Sequence, residues 1–240
     1  MLIAYKNTAF VLYCPIIRRF KLNKYPFPKK IHKLRMPLTR ILHPDSKTRI
    51  ALWNVTETLE VLKDKMILEE HYQDALEIRQ KEVLSVRCLL KNLLGADFKG
   101  LSYDEHRKPA LIDCNQELSI SHSKNWVAVL LHEDKRVGLD LELISPRIAK
   151  LQRKFMDNTE LVEIGEDLVK TTLVWSAKEA MYKYYGRKLL DFKHHLFVQD
   201  VPNQRKGSFK GWIHKDEYQA HFQVQYVRFD DFVLTYVVGD

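Results

Sequence analysis

Hydrophobic and polar positions along this chain change period several times, and the changes mark out its elements. Residues 49–55 (Arg-Ile-Ala-Leu-Trp-Asn-Val) alternate as a half-buried strand does. Thr56 offers an N-cap for a short helix over 56–64, with Leu59, Val61 and Leu62 on its apolar side. From Asp74 to Gly95 the spacing becomes helical: Leu76, Ile78, Val83, Leu84, Val86, Leu89, Leu90, Leu93 and Leu94 form a broad apolar stripe, and Gly95 suits the C-cap. Arg79, Lys81, Arg87 and Lys91 occupy the polar face of that helix, which a solvated surface would equally explain. Short runs at 101–104, 118–123, 126–131 and 137–143 read as strands, and the turn at 132–136 predicts a hairpin joining the last two.

Past Ser145-Pro146, residues 147–156 are patterned as an amphipathic helix, and Asn158-Thr159 can cap a second short helix from Glu160. Residues 168–185 form the main helix of this region, closed by Gly186. Runs at 197–201, 209–214, 218–227 and 232–238 then alternate as antiparallel strands. A long helix followed by antiparallel strands thus occurs twice. That order predicts an α+β fold of two similar halves, 36–143 and 144–240, with a ligand cleft between them.

The chain has 240 residues, 45% of them hydrophobic and 29% charged, as expected of a globular protein with a proper core. No stretch approaches the ~18 uninterrupted apolar residues of a membrane span. Cys14, Cys88 and Cys114 are odd in number and show no paired spacing, which points to a reducing compartment. The net charge of +8 invites a nucleic-acid function, but its distribution argues otherwise. Residues 1–35 hold nine lysines and arginines and no acid, which leaves residues 36–240 at −1. The apolar run from Thr8 to Ile17 is short, contains Pro15 and lacks a small-residue cleavage site, so it fits an export signal poorly. Residues 1–35 are expected to be a basic, poorly structured extension, with Met36 as the functional start.

Candidate chemistry concentrates in two segments. In Val137-Gly138-Leu139-Asp140-Leu141-Glu142, Asp140 and Glu142 lie two apart and share one face of a strand, with Leu139 and Leu141 on the other. Two such carboxylates repel unless a proton or cation sits between them, and a hard ion such as Mg²⁺ suits oxygen ligands. In Trp175-Ser-Ala-Lys-Glu-Ala-Met-Tyr-Lys183, residues Trp175, Glu179 and Lys183 fall on one helical stripe. Three acids and a lysine are the parts of a metal-assisted phosphate site. Taken singly, each piece also fits a solvated strand face or a surface ion pair.

Gly-Leu-Asp-Leu-Glu followed by Trp-Ser-Ala-Lys-Glu-Ala-Met-Tyr-Lys resembles the paired signature of the 4′-phosphopantetheinyl transferases. Ser119-Ile-Ser-His-Ser123 and His106-Arg-Lys-Pro-Ala-Leu111 resemble two further motifs of the larger, surfactin-synthetase-type (Sfp-like) branch, so the resemblance covers roughly residues 49–197. It implies two α+β halves related by a pseudo-twofold, each a long helix packed on a small antiparallel sheet. It also implies transfer of the 4′-phosphopantetheine arm from coenzyme A to a serine of an apo acyl or peptidyl carrier protein, releasing adenosine 3′,5′-bisphosphate. Carried over by motif, Asp140, Glu142 and Glu179 would hold Mg²⁺. Glu179 would also take the serine proton, and Lys183 would stabilise the leaving phosphate. Lys178 would lie near the phosphates, while Lys108, Ser121, His122, Arg79 and Arg87 would bind coenzyme A. Two departures stand out. Leu141 lies between the acids and cannot be a ligand, and Arg107 stands where the family often has a small residue. A cytoplasmic monomer without nucleic-acid or membrane partners is expected, its carrier docking on Arg147, Lys150, Arg153 and Lys154. A metal-dependent nuclease and a non-catalytic module binding coenzyme A or carrier remain the rival functions.

Overall fold

Two antiparallel sheets, each covered by an eighteen-residue helix, account for most of residues 40–239, which the computed structural model describes. The expectations for residues 1–35 lie outside the described residues. The chain enters through β1 (Arg40–Leu42) and β2 (Thr48–Asn54), then α1 (Leu59–Lys65) and α2 (Glu77–Leu94). A two-stranded ribbon, β3 (Leu101–Tyr103) and β4 (Pro109–Leu111), leads to β5 (Glu117–Ser123) and β6 (Trp126–His132). The first sheet runs β1-β2-β6-β5. Thr58, not Thr56, caps α1, its hydroxyl accepting from Val61 N at 3.4 Å. Gly95 closes α2 with a φ of 59°, where a side chain would be strained.

The second sheet begins with β7 (Val137–Leu143). It is completed by β8 (Leu196–Gln199), β9 (Lys206–Lys215), β10 (Tyr218–Arg228) and β11 (Phe232–Val238), in the order β7-β11-β10-β9-β8. Its long helix is α6 (Leu168–Tyr185), capped by Asp167 and ended by left-handed Gly186. The hairpin expected between β6 and β7 does not form. β6 is an inner strand whose two edges are taken by β2 and β5, so the chain passes at 133–136 into the other sheet, where β7 pairs with β11. The single helix expected over 147–156 is broken at Leu151 into α3 (Pro146–Ala149) and α4 (Gln152–Phe155). The next helix, α5 (Asn158–Ile164), starts from a capping box made by Asp157 and Glu160, one residue before the expected cap.

Three apolar layers hold these parts together. Leu84, Leu89 and Leu90 of α2 pack on Ala51, Trp53, Val127 and Val129 of the first sheet. The opposite face of that sheet, through Ile50, Leu52, Ala128 and Leu130, packs on Val137, Leu139, Leu141 and Leu234 of the second. The other face of the second sheet packs on α6 through Val233, Val237 and Met181. The inner strands β2, β6 and β11 are therefore buried on two sides, which accounts for their nearly unbroken apolar runs, whereas β9 and β10 alternate between buried and exposed positions. Among the described residues no helix is long and apolar enough to cross a membrane.

The closest approach of helix to sheet is at Gly138. A Cβ built there would fall 1.9 Å from Ala180 O and 2.8 Å from Tyr184 N, both backbone atoms of α6. A glycine is thus required for α6 to lie this near β7. Gly138→Ala is expected to push the two apart and cost about 3 kcal/mol, at the upper end for overpacking. Denaturant unfolding measures this, and a loss below about 0.5 kcal/mol, as at a surface site, would contradict the packing.

Candidate active site

Because β7 alternates, Leu139 and Leu141 enter the apolar layer between the sheets, and Gly138, Asp140 and Glu142 face the other way, as the spacing predicts. Glu179 and Lys183 are one turn apart on α6, on the side pressed against β7. All four side chains line one cleft. Lys183 Nζ donates to Asp140 Oδ1 at 2.8 Å and to Ser121 Oγ at 2.9 Å. Glu142 Oε2 accepts from Trp175 Nε1 at 3.1 Å, so the tryptophan orients this acid while its ring packs between Phe155 and Phe192.

A row of hydroxyls on β5 completes the base of the site. Ser119 Oγ accepts from Leu139 N at 2.9 Å, and Ser121 Oγ accepts from Leu141 N at 3.1 Å and donates to Asp140 Oδ1 at 3.0 Å. Ser123 Oγ lies 3.5 Å from Glu142 Oε1. Ser119 and Ser121 therefore satisfy two outer backbone N–H groups of β7, an edge strand, and join the two sheets beside the acids, while Leu143 N donates to Glu142 Oε1 at 3.0 Å. Ser119 and Ser123 carried a signal, the strict period of two, that sequence reasoning left unused.

Charge is poorly balanced here. Burial first, and then the charge of Asp140, push the carboxyls of Glu142 up to about 7 and Glu179 up to about 8, with Lys183 pulling both the other way. Asp140 Oδ2 is buried without a hydrogen-bond partner. Hard oxygen donors with uncompensated negative charge fit a divalent cation, although as placed no three His, Cys, Asp or Glu side chains among the described residues gather into a metal-binding group.

The walls of the cleft come from the first sheet, its helix and the β3–β4 ribbon. Lys108, His122, Arg79 and Arg87 all line it. Lys108 Nζ is 3.3 Å from Glu117 Oε2, its stem rests against Gly186, and burial pulls its pKa down. Arg87 is held by Glu69, its Nε donating at 2.7 Å, and both Arg79 and Arg87 lie 5.7 Å from the Tyr72 ring centre. Arg107 has a φ of 66°, the left-handed backbone that favours glycine. The preference for a small residue implied at that position thus has a local cause.

Residues 136–237 match the family model described as the 4′-phosphopantetheinyl transferase superfamily. This segment belongs to that superfamily. It contains β7, α6 and the rest of the second sheet, and hence Asp140, Glu142, Glu179 and Lys183. The mixed arrangement of helices on antiparallel sheets agrees with the superfamily's α+β fold. A protein of Synechocystis sp. provisionally named as a 4′-phosphopantetheinyl transferase is 26% identical over 140 residues. The match covers 52% of this chain and 56% of that relative, so the chain spans about half the length of the curated relative it matches.

Two motif residues do not take the roles that the superfamily resemblance implied. Lys178 is not in the cleft. It is 0% exposed, its Nζ donating to Glu160 Oε2 at 2.6 Å, Phe155 O at 2.7 Å and Phe192 O at 3.0 Å. It lies one position before Glu179, which on a helix turns it by about 100° away from the acids. Ser121 lines the cleft, but its hydroxyl is occupied by Asp140, Lys183 and Leu141 N rather than left for a phosphate. Neighbours on a strand point to opposite faces, so Ser121 turns to β7 while His122 turns to α2. Glu82 was missed altogether: its oxygens engage Arg79 and His122.

Lys178→Met would leave Glu160 buried without a cation and is expected to cost about 3–5 kcal/mol in denaturant unfolding, with only part of it recovered on adding Glu160→Gln, which removes the unpaired charge but keeps an acceptor for Val198 N. A loss below about 0.5 kcal/mol would return Lys178 to the surface. For Glu142 and Glu179 the sign follows from proton binding. Their folded pKa values lie above the ordinary carboxyl range, so the folded protein keeps protons that the unfolded chain releases, and stability falls as pH rises toward 8. Without divalent cations the melting temperature is expected to fall from pH 5 to pH 8. Glu179→Gln should flatten that slope and melt higher than the wild type at pH 8; parallel slopes would show that Glu179 does not titrate this way.

Proposed function

We propose that this protein transfers 4′-phosphopantetheine from coenzyme A to a serine hydroxyl of an apo acyl or peptidyl carrier protein, in the manner of the larger branch of the superfamily. The observation that carries this proposal is that three acids and Lys183 line the base of a cleft whose walls bear His122 from the other sheet, Arg79 from its helix and Lys108 from the β3–β4 ribbon. The two sides thus offer a place for a diphosphate and the means to cleave it.

Mg²⁺ would be held by Asp140, Glu142 and Glu179 and, when bound, would neutralise the diphosphate and favour the charged form of these acids. Lys108 and His122 draw the phosphates in. Glu179 takes the proton of the attacking serine as the serine oxygen bonds to the phosphorus nearer the pantetheine. The phosphorus–oxygen bond to the nucleotide breaks, and Lys183 stabilises the charge that develops on the departing adenosine 3′,5′-bisphosphate. Ser121 and Trp175 act through the acids they orient.

Carrier proteins of this kind are acidic helical bundles, so charge complementarity favours the exposed cations Arg147, Lys150, Arg153 and Lys154 as their docking surface. They lie on the short helices α3 and α4 and, for Lys150, in the turn between them, and Phe155 at the end of α4 packs on Trp175 beside Glu142. Action as a cytoplasmic monomer is part of the proposal, and the free thiols Cys88 and Cys114 suit the reducing compartment it implies.

Purified protein incubated with coenzyme A, Mg²⁺ and a panel of apo-carriers is expected to add one pantetheine arm to at least one carrier, as read by mass spectrometry. Asp140→Ala should lower the rate by roughly a hundredfold or more while the circular dichroism spectrum stays the same. Undiminished transfer by that variant would remove the acids from the mechanism.

A further inference from the structure

A carboxylate on the wall of a cleft built for phosphates is unexpected, because it repels what the cleft would hold. Glu82, on α2, is such a group. Its Oε2 accepts from Arg79 Nη1 at 2.9 Å, and its Oε1 lies 3.2 Å from Nδ1 of His122, on β5. The two oxygens serve two different side chains on two different elements, and all three residues line the cleft. This is not a solvated i,i+3 pair on a helix surface, since the Arg79 and Glu82 side chains are only 16% and 18% exposed.

The consequences follow from the imidazole. Its ring nitrogens are distinct, and the hydrogen bond at one decides what the other can offer. With Nδ1 facing the Glu82 carboxylate, Nε2 is the edge left for a ligand. A phosphate at Nε2 needs a proton there, and the ring then carries a charge that the carboxylate on its far side stabilises. Burial works against that charge, and Glu82 is the strongest influence opposing burial.

We propose that Glu82 is a positioning residue of the diphosphate site: it holds His122 in the orientation and charged form that a phosphate at Nε2 requires, and it holds Arg79 beside that phosphate. Glu82 thus aligns two donors that come from different elements. This rests on the transferase function proposed above for the identity of the physiological phosphate, but not for the existence of the site.

Inorganic pyrophosphate is therefore the probe, titrated by calorimetry into the full-length chain at neutral pH. Glu82→Gln offers one acceptor oxygen where two are needed and places an amide against the remaining donor. It is expected to weaken pyrophosphate binding about tenfold, as loss of one charge-assisted hydrogen bond does. In a His122→Ala background the same change is expected to cost clearly less than in the wild type, leaving only the part that Arg79 carries, because one of the two coupled partners is gone. The ¹⁵N spectrum of the imidazole in the presence of pyrophosphate supplies an independent readout: both ring nitrogens carry protons in the wild type, and Glu82→Gln loses the one on Nδ1, leaving the neutral Nε2–H tautomer. Should Glu82→Gln fail to fold, Glu82→Asp, which keeps the charge but withdraws the carboxylate, carries the same expectations. Tighter or unchanged pyrophosphate binding, an equal loss with and without His122, or an unaltered tautomer would each overturn the proposal. So would the absence of pyrophosphate binding by the wild type. Transfer to apo-carriers is scored separately, so the proposed reaction can fail while Glu82 stands, and the reverse.

Discussion

The contact between α6 and β7 is the constraint on which the site depends. With no Cβ at Gly138, the helix backbone at Ala180 comes within reach of the strand, and Glu179 and Lys183 arrive beside Asp140 and Glu142. The same closeness explains the electrostatic tension. Acids that share a dry corner with one lysine cannot all be charged at ease, and so burial and mutual repulsion raise Glu142 and Glu179 together. A site in this condition is poised to take up positive charge.

Around this contact, polar groups do structural duty in two places. Two hydroxyls of β5 accept the outer N–H groups of Leu139 and Leu141 on β7 where one sheet meets the other, and Ser121 orients Asp140 as part of that joint. On the far side of α6, Lys178 and Glu160 form a buried ion pair that also gathers Phe155 O, Phe192 O and Val198 N. Breaking such a pair is far more costly than forming it is favourable, so its effect is to fix the position of α6 against α5 and β8. One face of α6 therefore meets the acids, and the opposite face is locked in place.

Both layers of the cleft contribute, but they are specified in different ways. The acids and Lys183 fall in the segment that matches the superfamily, whereas the α2 and β5 residues lie outside it. On that wall, aromatic and acidic neighbours hold four of the basic side chains: Tyr72 and Glu69 for Arg87, Glu117 for Lys108, Glu82 for Arg79 and His122. Such pairings keep cations ordered in the absence of phosphate, at the expense of some attraction toward it.

Much of this was legible in local pattern. The two long helices, the strand character of β2, β5 to β7 and β9 to β11, and the shared face of Asp140 and Glu142 follow from side-chain periods of 3.6 and 2.0, which the backbone imposes on any sequence. Helix ends were less certain, because several residues nearby can cap, and only packing chose Thr58 over Thr56 and Asp157 over Asn158. Strand pairing was not legible: periodicity is the same whichever neighbour a strand finds, and β7 joined β11 across nearly a hundred residues rather than the adjacent β6. Likewise a motif names residue types but not their directions. By itself the sequence determined which elements form and which acids lie together; the tertiary structure alone decided that Lys178 is a buried anchor, that Ser121 serves Asp140, and that Glu82 faces His122. These outcomes depend on contacts between distant segments, and no local period encodes them.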